Sequence, residues 1–315
     1  MLESQIMEAR IVFMGSPEFS LFTLKSLVEG YSVIGVVTQP DRQSGRGRSL
    51  NPPPIKTLAQ ELDLPIIQPQ KLSAPGAVEQ LQDWNPDLIV VAAYGQILKP
   101  EVLDLPPHGC VNIHASLLPR WRGAAPIQAA ILHGDQDTGV TIMDMDIGMD
   151  TGPIISQRLI PIQPDDNGGT LSERLSILGA ELLLETLTPY LEGEITPKPQ
   201  DNALATYAPM LKKKDGQLDF THPAEYLARQ VRAFCPWPGS FTYWHEQVLK
   251  IHLAHVPPSD EILDYVIAPG ARTIYQSLPA FGTGEGLLVL DQVQPAGKKT
   301  MSGKAFLQGA RGWAV

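Results

Sequence analysis

Cys110 and Cys235 are the only two cysteines in the 315 residues. Two thiols cannot build a disulfide framework or a four-cysteine zinc site, and such sparing use fits a reducing, cytoplasmic setting. No apolar run approaches the ~18 residues that a membrane helix needs. The opening MLESQIMEAR carries acids and no apolar stretch, so no secretory signal is expected there; Met7 reads as an alternative start and residues 1–5 as dispensable. The dinucleotide fingerprint is missing as well. After the apolar IVFMG the turn reads G-S-P-E-F-S, without the second and third glycines, which excludes an NAD site. There is no HExxH, and the aspartates of DMDIGMD fail the calcium-loop rule because Gly148 falls at the fifth position, so no metal is expected. Ser116 lies in ASLLP and not in a G-x-S-x-G elbow, which argues against a serine hydrolase. Cys110, beside a strand, reads as a small buried residue rather than a nucleophile.

Acidic charge is in surplus, at a net −10, but it is unevenly spread. Residues 1–207 hold 13 Lys/Arg against 25 Asp/Glu, and residues 208–315 hold 11 against 9. The C-terminal part is locally basic at Lys212-Lys213-Lys214 and Lys298-Lys299, a pattern that suits a polyanion or simply a solvated surface. Within the acidic part, PDRQSGRGRSLNPPP places Arg42, Arg46 and Arg48 among glycine, serine and proline. A long flexible loop of this kind in a compact domain is usually functional, and its arginines suit phosphate or RNA.

The order of patterns is that of a parallel α/β domain followed by a small β domain. IVFMG, YSVIGVVTQ, LPIIQP and DLIVVAAYG read as strands, with helices between them, and the last is apolar enough for a central strand. TGVTIMDMDIGMDTGPIISQRLIPI reads as a strand, a glycine-bearing loop and a returning strand. Leu171, Leu175, Leu178, Leu182 and Leu183 recur at helical spacing, as core residues do. The proline-rich EGEITPKPQDNALATYAPM reads as a linker. Beyond it come one short helix, the turn Pro236-Trp237-Pro238-Gly239, and short strands between Gly/Pro turns, the pattern of a small barrel or sandwich. The expected domains are 1–195, a linker at 196–211, and 212–315.

Val111 to Ile131, VNIHASLLPRWRGAAPIQAAI, is the stretch around which the chain is organised. Asn112 and His114 are two apart on a strand and so face one side, at the strand end where open α/β sheets bind ligands. Gln96, Ile97 and Leu98 lie just past a neighbouring strand and would line the same crevice. Asp150 is the third polar residue that a parallel sheet would bring there. An amide, an imidazole and a carboxylate with no activated nucleophile suit direct acyl transfer between bound substrates: donors meet the oxyanion, and the carboxylate–imidazole pair moves the amine's proton. Spacing alone leaves this open against a purely structural use of each residue.

NIHASLLPRWRGAAPIQAAI, together with TGVTIMDMDIGMDTG, resembles the 10-formyltetrahydrofolate-dependent formyltransferases. TQPDRQSGRGR, APMLKKKDGQLDF, RAFCPWPGS and QPAGKKTMSG narrow the resemblance to the branch acting on methionyl-tRNA, over nearly the whole chain. It implies a Rossmann-like catalytic domain joined to an OB-like barrel, and formyl transfer from 10-formyltetrahydrofolate to the α-amino group of methionine on initiator tRNA. It implies a catalytic trio of Asn112, His114 and Asp150. A folate loop at Ser116, Leu117, Leu118 and Pro119 and a pterin pocket flanked by Gln96, Ile97 and Leu98 follow from it. tRNA contacts are expected at Arg42, Arg46, Arg48, Lys212 and Lys213, with the chain a monomer. Two departures are visible: Ala115 stands where relatives often have Gly, and Arg48 where Lys is common. Two other readings stay open, a formyltransferase of the same fold acting on an amino-sugar nucleotide or small amine, and a non-catalytic tRNA or folate binder.

Overall fold

The computed structural model describes residues 9–44, 49–261 and 267–314. They divide into two compact units. The first comprises the chain up to Gly123, Thr138–Pro161 and Ser172–Ala208. The second comprises Ala124–Asp137, Ile162–Leu171 and everything from Pro209.

A seven-stranded sheet forms the first unit. Its strands are β1 (Arg10–Gly15), β2 (Ser32–Val37), β3 (Ile66–Ile67), β4 (Leu88–Ala92), β5 (Cys110–His114), β6 (Asp137–Asp144) and β7 (Ile154–Pro161). They lie in the order β7-β6-β5-β4-β1-β2-β3. β3, β2, β1, β4 and β5 run parallel, and β6 pairs antiparallel to β5. Every residue of β4 is buried, as its unbroken apolar run demands of a strand covered on both faces. β7, at the sheet's edge, alternates between covered and exposed positions. The helices Leu21–Gly30, Pro54–Glu61 and Pro75–Trp84 connect the first strands, and two of them open on proline, where no intrahelical N–H is lost. In the long helix Gly168–Leu191, Leu171, Leu175, Leu182 and Leu183 are buried, while Leu178 is half-buried.

The arginine-bearing stretch is not all loop. Arg42–Ser44 and Ser49–Asn51 pair as a short antiparallel hairpin, and Arg46 and Arg48 lie outside the described residues. The stretch that reads as a linker is hydrogen-bonded along its length. Lys198 exchanges backbone hydrogen bonds with Ile154, and Tyr207–Ala208 pairs in parallel with Arg122–Gly123. Gly123 sits at φ +115°, and a Cβ there would lie 2.6 Å from the Ala208 carbonyl oxygen, so only glycine allows this approach.

In the second unit a curled antiparallel half-barrel is built from β8 (Ser240–Trp244), β9 (Gln247–His255), β10 (Arg272–Tyr275), β11 (Leu278–Gly282), β12 (Leu287–Pro295) and β13 (Met301–Ser302). Its order is β8-β9-β12-β11-β10, with β13 on β12. Two register shifts between β9 and β12 supply local bending. Leu249, Ile251, Phe281, Leu288, Phe306 and Trp313 fill its core together with Leu227 and Val231 of the helix Ala224–Ala233. The glycine-rich 282–286 is a turn between β11 and β12, as its sequence context requires. Among the described residues no helix is long and apolar enough to cross a membrane.

Candidate active site

The parallel register sets Val91 of β4 beside Asn112 of β5, and the antiparallel register sets Thr141 of β6 beside His114. The carboxyl end of β5 is therefore flanked on both sides, and the loop leaving it is pinned from β6. Thr141 is fully buried, and its hydroxyl uses every bond it can make. It donates to the Ser116 carbonyl (2.6 Å) and accepts from the Leu118 amide (3.0 Å) and the Gln157 side chain (2.8 Å). Gln157 also donates to the Leu118 carbonyl at 2.9 Å. Ser116 is buried, with its hydroxyl on the Arg120 carbonyl at 2.6 Å. Leu118 is buried, while Leu117 and Pro119 are half-buried at the rim.

His114 is 6% exposed. Its Nε2 lies 3.0 Å from the Trp121 carbonyl oxygen. A carbonyl only accepts, so Nε2 carries a hydrogen, and Nδ1 is the nitrogen free to gain or lose a proton. Nδ1 faces Asp150 Oδ1 at 3.7 Å, an ion-pair separation longer than a hydrogen bond. The bond that orients the ring thus comes from Trp121, and Asp150 supplies charge opposite Nδ1. Asp150 is itself held, since its Oδ2 accepts from the Gly123 amide at 2.7 Å. Its backbone stands at φ +52°, in the left-handed region that side-chain-bearing residues seldom adopt. Asn112 is half-buried, and among the described residues no hydrogen bond engages its carboxamide. Asp150 thus reaches the end of the strand that carries Asn112 and His114.

Three further expected residues have separate fates. Ile97 is 80% exposed just past β4, an apolar side chain presented to solvent. Leu98 is buried in the core of this unit. Gln96 spends its side chain on the chain itself, accepting from the Leu72 amide (2.7 Å) and donating to the Pro69 carbonyl (3.2 Å). Of the basic candidates, Arg42 is exposed and donates to Gln39 at 3.2 Å, and Lys212 and Lys213 are exposed at the start of the second unit's main segment.

Cys110 is buried, and that burial, with Asp144 and Asp104 nearby, pushes its thiol up to about 12, the state of an inert packing residue. Asp146 folds onto its own loop through the Gly148 amide and the Thr151 hydroxyl. The described residues contain no cluster of three or more histidine, cysteine or acidic side chains placed to hold a metal.

Thr141, Arg122 and Gln200 escaped the reading from sequence. Arg122 is 2% exposed, and its guanidinium donates to the side-chain oxygens of Gln200 (3.1 and 2.8 Å) and Asn202 (2.8 Å). A charged residue framed by Trp121 and the small run Gly123-Ala124-Ala125 was the one available signal, since buried arginines need dedicated partners.

The family profile described as "Formyl transferase" matches residues 9–187, and "Formyl transferase, C-terminal domain" matches residues 210–311. The methionyl-tRNA formyltransferase of Myxococcus xanthus (strain DK1622) is 47% identical over 300 residues, covering 95% of each chain. That of Roseiflexus castenholzii (strain DSM 13941 / HLO8) is 48% identical over 307 residues, covering 97% of each. In fold, the chain is similar to the N-formyltransferase from Helicobacter canadensis in complex with folinic acid and dTDP-3-aminofucose. The TM-score is 0.65 at 15% identity, with 91% of this chain and 99% of that one covered. On this identity and coverage, joined to a strand end that presents an amide, an imidazole and a carboxylate, the chain belongs to the formyl transferase family, among its methionyl-tRNA formyltransferases.

Proposed function

We propose that Asn112, His114 and Asp150 carry the chemistry of this enzyme, which transfers the formyl group of 10-formyltetrahydrofolate to the α-amino group of methionyl initiator tRNA. The observation that carries the assignment is the division of labour around His114. One ring nitrogen is consumed by the Trp121 carbonyl, and the other is left facing Asp150.

Negative charge grows on the formyl oxygen as the amine attacks the formyl carbon. The Asn112 amide and a protonated His114 Nδ1 are the donors that meet it. The amine sheds a proton as the new C–N bond forms, and the Asp150–His114 pair takes it. The nitrogen that leaves recovers a proton when the old C–N bond breaks, so the pair ends as it began. A carboxylate near but not hydrogen-bonded to Nδ1 leaves that N–H available to the reacting oxygen.

Folate recognition fits the same end of the sheet. Ile97 and the rim residues Leu117 and Pro119 follow neighbouring parallel strands and offer apolar surface for a flat ring. Ser116 and Leu118 hold the backbone of that loop, and Gln96 and Leu98 anchor the other. Exposed Arg42, Lys212 and Lys213, with Arg46 and Arg48, contact tRNA phosphates in this reading, from a domain comprising 212–315 and a catalytic domain comprising 1–195. The enzyme acts as a monomer in the cytoplasm.

A transfer assay tests the whole reading. Methionine-charged initiator tRNA is compared with the same charged tRNA stripped of its acceptor-stem features, each with 10-formyltetrahydrofolate. Formylation of the first alone is expected. Transfer to neither, with formyl-folate still bound, would redirect the assignment to a small amine acceptor.

A further inference from the structure

Gln200 comes from the proline-rich stretch that reads as a linker, yet its side chain has no spare valence. Its oxygen accepts Nε and Nη2 of Arg122, at 3.1 and 2.8 Å. Its nitrogen donates both protons, to the carbonyl oxygen of Asp150 at 2.9 Å and of Gly152 at 2.7 Å. Two lone pairs and two N–H groups are all a carboxamide has, so this pattern also fixes which way the amide faces. The partners enforce it: a guanidinium only donates, and carbonyls only accept.

Arg122 brings a buried positive charge that meets only neutral carboxamides among its described hydrogen-bond partners. A guanidinium on the oxygen polarises the amide and strengthens its N–H donors, as chained hydrogen bonds do in a low-dielectric setting. Those donors grip the backbone on both sides of Thr151, beginning at Asp150, whose φ of +52° is held against its own preference. From the opposite side the Gly123 amide, next in sequence to Arg122, grips Asp150 Oδ2 at 2.7 Å. The same strap of chain also holds the carbonyl that orients His114. Thr206 accepts the Trp121 amide on its hydroxyl (2.9 Å) and the Arg122 amide on its carbonyl (2.9 Å).

We propose that Gln200 is a positioning residue for the reaction. Backed by Arg122, it clamps the Asp150 backbone so that Oδ1 stays opposite His114 Nδ1 at 3.7 Å. The inference rests on the assignment of Asp150 as the carboxylate of the trio. It makes the segment 200–208 part of the active site's framework, although none of that segment is required to touch either substrate.

Gln200→Glu is the discriminating variant. It keeps an acceptor for Arg122, now as an ion pair, and removes both donors to the Asp150 loop. With methionyl-tRNA and 10-formyltetrahydrofolate, kcat is expected to fall roughly 10- to 100-fold, the scale of a small misplacement of a catalytic group. KM for both substrates stays within about twofold, because no substrate contact is removed. The double variant with Asp150→Asn carries the test. If Gln200 acts through Asp150, adding Q200E to D150N costs almost nothing further, whereas independent roles would multiply the two losses. Multiplied losses, or a normal kcat in Q200E alone, overturn the proposal. Normal turnover in D150N alone would instead overturn the assignment of Asp150, so the two failures are told apart. Gln200→Met, of similar shape but with no hydrogen bond, is the second variant with the same expectation. Loss of fold in both would make Gln200 a residue of stability and end the proposal.

Discussion

At the carboxyl edge of the parallel sheet, polar side chains interlock across long stretches of sequence, as Thr141 does with the 116–118 loop and Gln200 with Arg122 and Asp150. In the C-terminal sheet, by contrast, they pair between neighbouring strands, His255 with Asp291 and His252 with Gln294, around an interior of Phe281, Phe306 and Trp313. The first arrangement ties each polar group to several partners at once and suits chemistry, which tolerates little misplacement. The second makes a stable small body with a basic approach at Lys212 and Lys213, which suits holding a large anion.

If that division is right, variants in the two regions should separate turnover from affinity. Among variants that leave Asp150 in place, the largest effect is expected from Asn112→Ala. Removing one oxyanion donor costs roughly 10²- to 10³-fold in kcat. Filter binding of methionyl-tRNA should be unchanged, and a parallel loss of tRNA affinity would break the comparison. Thr141→Val comes next. It is isosteric and strands the buried Ser116 carbonyl and Leu118 amide, while the exposed Gln157 side chain keeps its bond to the Leu118 carbonyl. A loss of about 1–3 kcal/mol in thermal or denaturant unfolding is expected, with a raised KM for the formyl donor. An unaltered KM would detach the 116–119 loop from folate binding. The smallest effect belongs to Lys212→Ala with Lys213→Ala. Here kcat at saturating tRNA is retained, while each lost phosphate contact lowers the slope of log affinity against log salt by about 0.7–0.9. A slope that does not move would place the tRNA elsewhere.

Much of this was legible in the sequence, for reasons that also mark where legibility stops. The strands of the parallel sheet announce themselves because burial on both faces demands continuous apolar runs, as in LIVVA. Asn112 and His114 could be paired because strand periodicity alone puts them on one side. Asp150 could be read as a third polar residue that the sheet would bring there, but its role stayed open until the resemblance, since no local rule says that a loop after β6 returns to β5. Thr141 was invisible because its role depends on the antiparallel register of β6 with β5, and Gln200 because its partner Arg122 lies 78 positions away. Gly and Pro around Arg42 read as an open loop, yet Arg42–Ser44 and Ser49–Asn51 pair into a hairpin, a contact that composition does not encode. The run from Glu192 reads as slack for the same reason: its prolines signal no local structure, and the bonds that tie it to Ile154, Trp121 and Arg122 are long-range.

One measurement reaches the central claim directly: single-turnover formyl transfer by Asp150→Asn on methionyl initiator tRNA, with binding of the folate co-substrate measured alongside. The expected rate is lowered roughly 10²- to 10⁴-fold, the range of a lost general acid–base group, with folate affinity unchanged. A normal transfer rate would contradict it and leave the carboxylate opposite His114 with no part in the chemistry.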